Sequence, residues 1–427
     1  MVILSRLPMQ SVDDPRLPGC AGGNTYDVLP MPYQVGGHKP KDASDPPYML
    51  RLQPRVAPHC SNPSSTSSND ATQPPRLLKV IQAGDKGARE AAFYHKLFGQ
   101  DGMDGLKEDE INVWRSLRPF VPCYYGVLTR SDPTGNPRRY LVLEDISAPP
   151  NPGVNDGFCH CPTILDIKIG LRTYAPWATL QKQKRERDKY MHQEAVGFRI
   201  VGMRVYDADA KSYVVEGKEY GRNLRPEEVL FALARFLGRG RSLGVGGHAR
   251  NDPGPGSLRS RQAKDGRQEG ESERPKGKGE ACPEGEGAVP EMERGEQEGA
   301  VRRLDWFIAR VAALLDWFQG QACLCFWSSS LLFVDHQAWD RAGGRGPVSW
   351  VPRGQGARKE GAPPEETAAL DVRMIDFAHV QVREGGDGEE VEGGEDGWDS
   401  GRENYAQGLR SLLEHLQRLR REAAGMP

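Results

Sequence analysis

The sequence predicts a mixed α+β fold, because strand-like and helix-like stretches follow one another along the 427-residue chain. Short apolar stretches rich in β-branched residues predict strands at residues 76–81, 139–143, 161–170, 198–206, 212–215, 326–335 and 372–377. Longer stretches with apolar side chains on one face predict helices at residues 86–98, 106–117, 303–318 and 401–422. Both element types therefore contribute to the core.

Composition indicates that part of the chain lies outside this core. The sequence has 50 Gly and 33 Pro, and only 37% of its residues are hydrophobic. Segments with few apolar side chains cannot offset the entropy lost on ordering. We expect a flexible leader at residues 1–28 and flexible or disordered insertions at about 42–73, 239–299, 338–364 and 384–397.

Charge, hydropathy and cysteine spacing set limits on partners and compartment. The 57 basic and 59 acidic residues nearly cancel, so the overall charge gives no reason to expect a nucleic acid partner. No apolar run reaches the length of a membrane span, and the first ten residues are too short an apolar stretch for a secretion signal. The eight cysteines form no paired Cys-x-x-Cys units. We expect a soluble intracellular monomer, nuclear or cytoplasmic, with free thiols.

A charged pair stands inside the apolar stretch of residues 161–170. Asp166 and Lys168 are two residues apart, so in a strand both side chains point to the same face. A buried charge pair is costly unless it is used. The pair is therefore either a structural ion pair of the core or part of a reactive cleft.

A lysine and a glutamate lie on neighbouring predicted elements of the N-terminal half. Lys79 belongs to the strand of residues 76–81, and Glu90 belongs to the helix that follows it. Kinases use a strand lysine that is oriented by a helix glutamate to hold nucleotide phosphates. Exposed lysines and glutamates are also common, so an incidental pair is the alternative.

A basic segment at residues 181–190 follows the charged pair. It has five basic and two acidic residues and contains no helix breaker. On a helix, Lys182, Arg185 and Lys189 would form one basic stripe. The stripe is either a solvated face with local ion pairs or a site for a polyanion.

Three motifs, in this order, resemble the inositol polyphosphate kinase family. The first is Pro162, Asp166, Lys168 and Gly170 at the family spacing; the others are Ser329-Ser330-Leu331-Leu332 and Ile375-Asp376-Phe377-Ala378-His379. A weaker match is the Gln-Val-x-Gly-His element around residues 34–38, and the Asn-Tyr-x-x-Gly-Leu ending matches at residues 404–409. The resemblance covers roughly residues 29–420.

The resemblance implies a two-lobed kinase-like fold and an ATP- and Mg²⁺-dependent kinase of inositol polyphosphates. The nucleotide-binding N-lobe would span residues 29–145, and the C-lobe residues 146–427 with a small basic substrate-binding insert at about 171–195. Few residues separate Asp166 from Lys189 in the sequence, which leaves room for only a small insert. In this respect the chain resembles the multikinase branch of the family most.

Roles for individual residues follow from the same resemblance. Catalysis is expected from Asp166, Lys168 and Asp376, and Asp376 is the expected metal ligand. The nucleotide would contact Lys79, Glu90, Glu144, Asp145, Asp166, Ser330 and Asp376, with Ser329 supporting the metal aspartate or a phosphate. The inositol phosphate would contact Lys168, Lys182, Arg185, Lys189 and His379.

Two other functions are compatible with parts of the sequence. A non-catalytic inositol phosphate or nucleotide sensor, with disordered arms that recruit partners, would need the same binding residues. The presence of every candidate catalytic residue argues against it. A protein kinase would need a His-Arg-Asp catalytic loop, which the sequence lacks.

Overall fold

The computed structural model confirms the α+β fold class. It describes residues 11–12, 26–31, 35, 48–54, 75–99, 101–131, 135–148, 159–207, 210–237, 291–339, 370–383 and 394–426. Within these residues the strands form three antiparallel sheets, with six, five and two strands.

The N-terminal sheet contains the six strands β1 (Ser11–Val12), β2 (Tyr26–Pro30), β3 (Met49–Pro54), β4 (Arg76–Val80), β5 (Tyr124–Ser131) and β6 (Pro137–Glu144). In space they lie in the order β1-β2-β3-β4-β6-β5. Neighbouring side chains of β4 point to opposite faces of the sheet. Leu77 packs in the main core, and Leu78 packs in a smaller apolar cluster on the other face. Both faces of this strand are therefore covered, and its lysine is held at a fixed position.

The C-terminal sheet contains the five strands β7 (Cys159–Ile169), β8 (Phe198–Asp207), β9 (Ser212–Glu216), β11 (Ser330–Trp339) and β12 (Leu370–Ile375). A separate two-stranded ladder pairs β10 (Leu324–Phe326) with β13 (Val380–Val382). The order β12-β11-β7-β8-β9 places β7 at the centre of the five-stranded sheet. The predicted charged pair thus lies on the most protected strand of this sheet.

Eight helices pack around the sheets of the described chain: α1 (Asp85–Phe98), α2 (Glu108–Leu117), α3 (Leu180–Arg187), α4 (Gln193–Val196), α5 (Lys218–Asn223), α6 (Pro226–Phe236), α7 (Glu291–Gly320) and α8 (Gly394–Ala423). The long helices α7 and α8 pack against each other. On α8, Leu409, Leu412 and Leu416 recur at helical spacing and are buried.

One hydrophobic core joins the two larger sheets. It contains Leu77 of β4, Phe93 of α1 and Leu165 of β7. Phe93 stacks on Phe377 with ring centroids 4.1 Å apart, which connects α1 to the segment after β12. This shared core fixes the position of the N-terminal lysine relative to the C-terminal aspartate.

Two predicted N-terminal boundaries were wrong. β1 and the first residues of β2 lie within the predicted leader 1–28, and β3 lies within the predicted insertion 42–73. Leu50 and Leu52 of β3 are buried, with a polar residue between them. This alternation is only a few residues long and stands among prolines, so pairing with β2 and β4 decides the strand.

The predicted insertions of the C-terminal half also overlap helices and strands of the structure, so their predicted boundaries were wrong. α7 begins inside the predicted insertion 239–299, α8 begins inside 384–397, and β11 extends into 338–364. Long-range contacts stabilise these polar ends; for example, Gln297 Nε2 donates to the carbonyl of Ala423 at 2.6 Å. The remaining parts of the predicted insertions lie outside the described residues.

The predicted strand at residues 326–335 is two strands. Ser328, between β10 and β11, has a φ of 61°, a left-handed conformation that a continuous strand cannot contain. The break is local, but it places a serine carbonyl and hydroxyl beside the lysine of β7.

Two further expectations concern membranes and thiols. Among the described helices, none is both long enough and apolar enough to cross a bilayer. The cysteines whose side chains are described, Cys123, Cys323 and Cys325, are free thiols.

Candidate active site

A cleft of about 350 Å³ is lined by residues from both larger sheets and from α1, α3 and α5. It brings together nine of the residues selected from the sequence: Lys79, Glu90, Asp166, Lys168, Lys182, Arg185, Lys189, Asp376 and His379. These residues come from six separate elements or loops, so only the fold makes them neighbours. Their functional roles remain predictions.

The Lys79 ammonium lies between two carboxylates at the N-terminal wall. Its Nζ is 2.7 Å from Glu90 Oε1 and 2.7 Å from Asp376 Oδ1. Burial opposes the charge of this lysine, but Asp376 and Glu90 raise its pKa well above the ordinary value. Lys79 is therefore a permanent cation that lies between α1 and the end of β12.

Asp376 leaves the end of β12 in a left-handed conformation, with a φ of 66°. This conformation is uncommon outside glycine but is tolerated by aspartate and asparagine. The Ser329 hydroxyl donates to the Asp376 carbonyl at 3.0 Å and helps to hold the turn. The side chain is 40% exposed, so one part of the carboxylate faces the cleft while Oδ1 contacts Lys79.

Asp166 is a buried carboxylate of β7 that lines the same cleft. Its residue is only 3% exposed, and its Oδ1 is buried without a hydrogen-bond partner. Burial and the nearby Asp376 carboxylate raise the pKa of Asp166 to about 7, although Lys168 opposes the shift. A carboxyl group in this range can exchange a proton near neutral pH.

Lys168 shares a face of β7 with Asp166, as the sequence predicts, but its ammonium is held elsewhere. Nζ donates to the Ser328 carbonyl at 2.7 Å and to Ser328 Oγ at 3.1 Å. Burial lowers the pKa of Lys168, while Asp376 and Asp166 oppose that shift. The pair is thus part of a cleft rather than a simple ion pair of the core.

The basic segment after β7 forms α3 and one wall of the cleft. Lys182, Arg185 and Lys189 line the cleft together with Glu186. Lys189 Nζ lies 2.6 Å from Glu186 Oε1, so part of the positive charge is balanced locally. The Thr179 hydroxyl caps the helix by accepting from the backbone N–H of Lys182 at 3.3 Å. The three residues of the predicted basic stripe therefore line the cleft, although α3 ends at Arg187 and Lys189 follows it.

His379 lines the cleft three residues after Asp376. Burial is the main cause that lowers its pKa to about 4, and the cations Lys182 and Lys86 add to the shift. The imidazole is therefore neutral at pH 7. It can donate one hydrogen bond and accept another.

Three predicted nucleotide contacts are not among the residues that line the cleft. Asp145 is buried and pairs with Arg51 Nε at 2.7 Å. Glu144 accepts from the backbone N–H of Cys123 at 3.1 Å, and Ser330 is fully buried. Asp145 and Glu144 thus contact other parts of the protein and are not brought together with the other nine residues. Ser330 is buried behind the cleft wall, opposite Lys168 in the neighbouring strand and with its hydroxyl close to the Asp166 carboxyl group.

Four cations that line the cleft were not selected as site residues from the sequence: Lys86, Arg199, Lys218 and Arg222. Arg199 of β8 is buried, and its Nη1 has no hydrogen-bond partner. The signal was present, because an arginine interrupts the apolar run of residues 198–201. The other three residues lie at helix positions where a charge is common.

Comparison with known families decides the membership of the chain. A sequence profile described as "Inositol polyphosphate kinase" matches residues 154–250 and 292–417, together just over half of the chain. The chain belongs to the inositol polyphosphate kinase family. The resemblance predicted from the sequence motifs is confirmed, and the matched ranges include Asp166, Lys168 and Asp376.

The relatives of this inositol polyphosphate kinase family member include multikinases. Human inositol polyphosphate multikinase is 35% identical over 167 residues, which are 39% of this chain and 36% of the human protein. The multikinase of Mus musculus is 32% identical over 221 residues, which are 51% of this chain and 48% of the mouse protein. The matches thus span half or less of the length of these two relatives.

A solved structure resembles the chain as well. It is the inositol phosphate multikinase Ipk2 of S. cerevisiae in complex with ADP and Mn²⁺. The sequences are 20% identical, the TM-score is 0.42, and the match covers 80% of this chain and 98% of the other.

The donor atoms of the cleft fit a nucleotide with a divalent cation. Mg²⁺ in phosphoryl-transfer sites usually takes one or two protein carboxylates, with phosphate oxygens and water as further ligands. Asp376 is partly exposed, and Asp166 has an oxygen without a partner. Within the described residues there is no cluster of three or more His, Cys, Asp or Glu that would enclose a metal without phosphate.

Proposed function

We propose that the chain is an ATP- and Mg²⁺-dependent kinase that phosphorylates hydroxyl groups of inositol polyphosphates. One observation carries the proposal: a single cleft combines the Lys79–Asp376 ion pair, the buried carboxylate of Asp166 and a wall of cations on α3. Phosphoryl transfer needs positioning, charge neutralisation and a placed hydroxyl group. Each requirement has a group in this cleft.

The N-terminal wall would hold the phosphates of ATP. Lys79 is kept charged by Asp376 and is oriented by Glu90, so it can bind phosphate oxygens with little reorganisation. Asp376 would hold Mg²⁺. When bound, Mg²⁺ supplies positive charge that neutralises the phosphates.

The C-terminal wall would hold the acceptor. The ring oxygen forms a bond to the γ-phosphorus as the bond from that phosphorus to the ADP oxygen breaks, and the hydroxyl proton goes to the Asp166 carboxylate. A carboxylate with a pKa of about 7 is suited to this exchange. Lys168 lies beside it and would balance the charge of the transferred group.

The acceptor is proposed to be an inositol tris- or tetrakisphosphate. Lys182, Arg185 and Lys189 present several positive charges on one wall, which suits a ring with several phosphates. Relatives named inositol polyphosphate multikinase support the multikinase branch. A neutral or singly phosphorylated ring would use only a small part of this positive charge.

The test is a chromatographic assay of purified protein with labelled ATP, Mg²⁺ and a panel of inositol phosphates. The expected result is conversion of tris- and tetrakisphosphates to higher products, and its loss in Asp376→Asn. Asparagine tolerates the left-handed backbone at this position, so the variant should fold. Asp305→Asn is the matched control, because Asp305 lies on the surface and pairs with Arg420.

Two results of this assay would contradict the proposal. If well-folded protein converts no inositol phosphate, the kinase proposal is wrong. Tight binding of an inositol phosphate without consumption of ATP would favour the sensor function instead.

A further inference from the structure

Arg199 and Lys168 form a pair of like charges inside the cleft. They are direct partners in the antiparallel pairing of β8 with β7, and both line the cleft. Side chains of directly opposed residues lie side by side on one face of a sheet, where like charges are destabilising. An anion bound next to the two cations would remove this repulsion.

The guanidinium group of Arg199 is buried, but the protein does not satisfy all of its donors. The residue is 7% exposed, and its Nη1 has no hydrogen-bond partner among the described residues. Burial lowers the pKa of Arg199, and the nearby Glu186 opposes that shift. Glu186 is itself engaged elsewhere, since Oε1 lies 2.6 Å from Lys189 Nζ and Oε2 accepts from the Thr173 hydroxyl at 3.4 Å. A bound anion would therefore stabilise the buried charge of Arg199.

Two further cations, from α5, lie next to Arg199. Lys218 and Arg222 are exposed on their helix and line the cleft. The helix packs closely on β8, because a Cβ at Gly221 would overlap the carbonyl oxygen of Ile200, the residue after Arg199. Burial lowers the pKa of Lys218, and the nearby Arg222 lowers it further. Arg199, Lys218 and Arg222 are here called the β8–α5 cation group.

The β8–α5 cation group and the start of α3 belong to different parts of the cleft. Burial and then Lys86 of α1 lower the pKa of Lys182. For Lys218, the carboxylate that opposes the lowered pKa most is Asp166 of β7. Positive charge thus extends from the α1 side of the cleft to the α5 side. Nine Lys or Arg residues and four Asp or Glu residues line the cleft in total, so a trisphosphate would use only part of the positive charge.

We propose that Arg199, together with Lys218 and Arg222, binds a further phosphate of the acceptor, and that the cleft therefore favours inositol tetrakis- and pentakisphosphates over trisphosphates. The inference rests on the proposed function, since it specifies the acceptor of the same cleft. Guanidinium donors match the geometry of phosphate oxygens. The cations of α3 would contact phosphates that all of these rings carry, whereas the β8–α5 cation group would contact a phosphate that only the more highly phosphorylated rings carry.

The test measures binding of an inositol trisphosphate and an inositol pentakisphosphate to the full chain by isothermal titration calorimetry, without ATP. Arg199→Met removes the charge and keeps most of the length of the side chain. It should weaken binding of the pentakisphosphate about tenfold and binding of the trisphosphate less than about threefold. Lys182→Gln should weaken the binding of both ligands by a similar factor. Lys184→Gln, at an exposed position that does not line the cleft, is the matched control and should change neither.

The stability of the ligand-free protein separates a binding role of Arg199 from a structural one. Arg199→Met should be at least as stable as the wild type in urea unfolding, because it removes the repulsion with Lys168 and leaves no donor unsatisfied. The double variant Lys218→Gln/Arg222→Gln changes only exposed positions and tests the same group independently. It should also weaken the pentakisphosphate more than the trisphosphate.

The proposal is wrong if Arg199→Met and the α5 double variant weaken binding of the two ligands equally, or of neither. It is also wrong if Arg199→Met is markedly less stable than the wild type, since Arg199 would then be a structural residue. Because ATP is absent, the result does not depend on turnover. A chain that selects the pentakisphosphate through this group but phosphorylates no inositol phosphate would contradict the proposed kinase activity alone.

Discussion

Lys79 Nζ lies 2.7 Å from both Glu90 Oε1 and Asp376 Oδ1, so one ammonium connects α1 with the end of β12. The two carboxylates are 286 positions apart in sequence. Because Lys79 stands on a strand whose two faces are covered, the position of its ammonium is fixed before a ligand binds. In the proposed function Glu90 would therefore be a positioning residue, one that acts through Lys79.

Replacing Glu90 tests this relationship. Glu90→Gln keeps the shape of the side chain but removes the charge that orients Lys79, so we expect kcat/KM for ATP to fall about tenfold to a hundredfold. The KM for the inositol phosphate should change little, since Lys79 is proposed to bind the nucleotide. Steady-state kinetics with each substrate varied in turn separate the two constants. Equal effects on both substrates would indicate a general structural role.

Asp166→Asn distinguishes a reactive carboxylate from a structural one. We expect activity to fall at least about a hundredfold, because the amide cannot accept the hydroxyl proton. Stability at pH 8 should not fall, since burying a neutral amide beside Asp376 costs less than burying a second anion. Urea unfolding at pH 8 measures this directly. A marked loss of stability would restore the interpretation of Asp166 as a structural residue.

The two faces of α3 provide a comparison on one helix. Lys182→Gln, on the cleft wall, should raise the KM for an inositol polyphosphate about tenfold through the loss of one charge-assisted contact. Lys184→Gln, at an exposed position of α3 that does not line the cleft, should leave that KM unchanged. The KM for ATP should be unaffected in both variants. A similar change in both would mean that the overall positive charge, rather than the cleft wall, attracts the substrate.

Much of this fold could be predicted from the sequence because local pattern and tertiary environment agree. The helix of α1 and the strand β7 have the expected apolar periodicity, and their observed ends lie within about two residues of the predicted ones. β3 and the first turns of α7 were missed because contacts distant in sequence stabilise them. The local propensity of a segment does not indicate which distant residues it will contact in the fold.

The candidate site was predictable where several residues form a motif. Asp166, Lys168 and Asp376 were selected with their neighbours, and all three line the cleft. Arg199 and Lys218 line it too but were not selected, since a single cation has many roles in a sequence. The three-dimensional packing decides which elements surround the cleft, and the pattern of a single segment does not predict that packing.

Position 170, at the end of β7, requires a glycine because both its backbone conformation and its neighbours exclude a side chain. Its φ is +113°, and a Cβ there would lie 2.6 Å from Asn404 Nδ2. Asn404 cannot move away easily, because it bonds both the N–H and the carbonyl of Arg172. Gly170→Ala should lower the free energy of unfolding by about 2–4 kcal/mol. Urea denaturation measures the loss, and Gly217→Ala, with an open environment and ordinary backbone, should be nearly neutral.

His379 makes stability depend on pH. Its pKa is about 4 in the folded protein, mainly through burial, and about 6.5 when unfolded, so the unfolded chain binds the proton more tightly. Its contribution is therefore complete above pH 6.5 and is lost as the pH falls towards 4. Between pH 7 and pH 5 the loss should be about 1 kcal/mol after allowance for partial exposure of the ring. His379→Gln removes this titration, so urea unfolding at both pH values should show a smaller drop for the variant than for the wild type. An equal drop in the two proteins would mean that other groups cause the whole pH dependence.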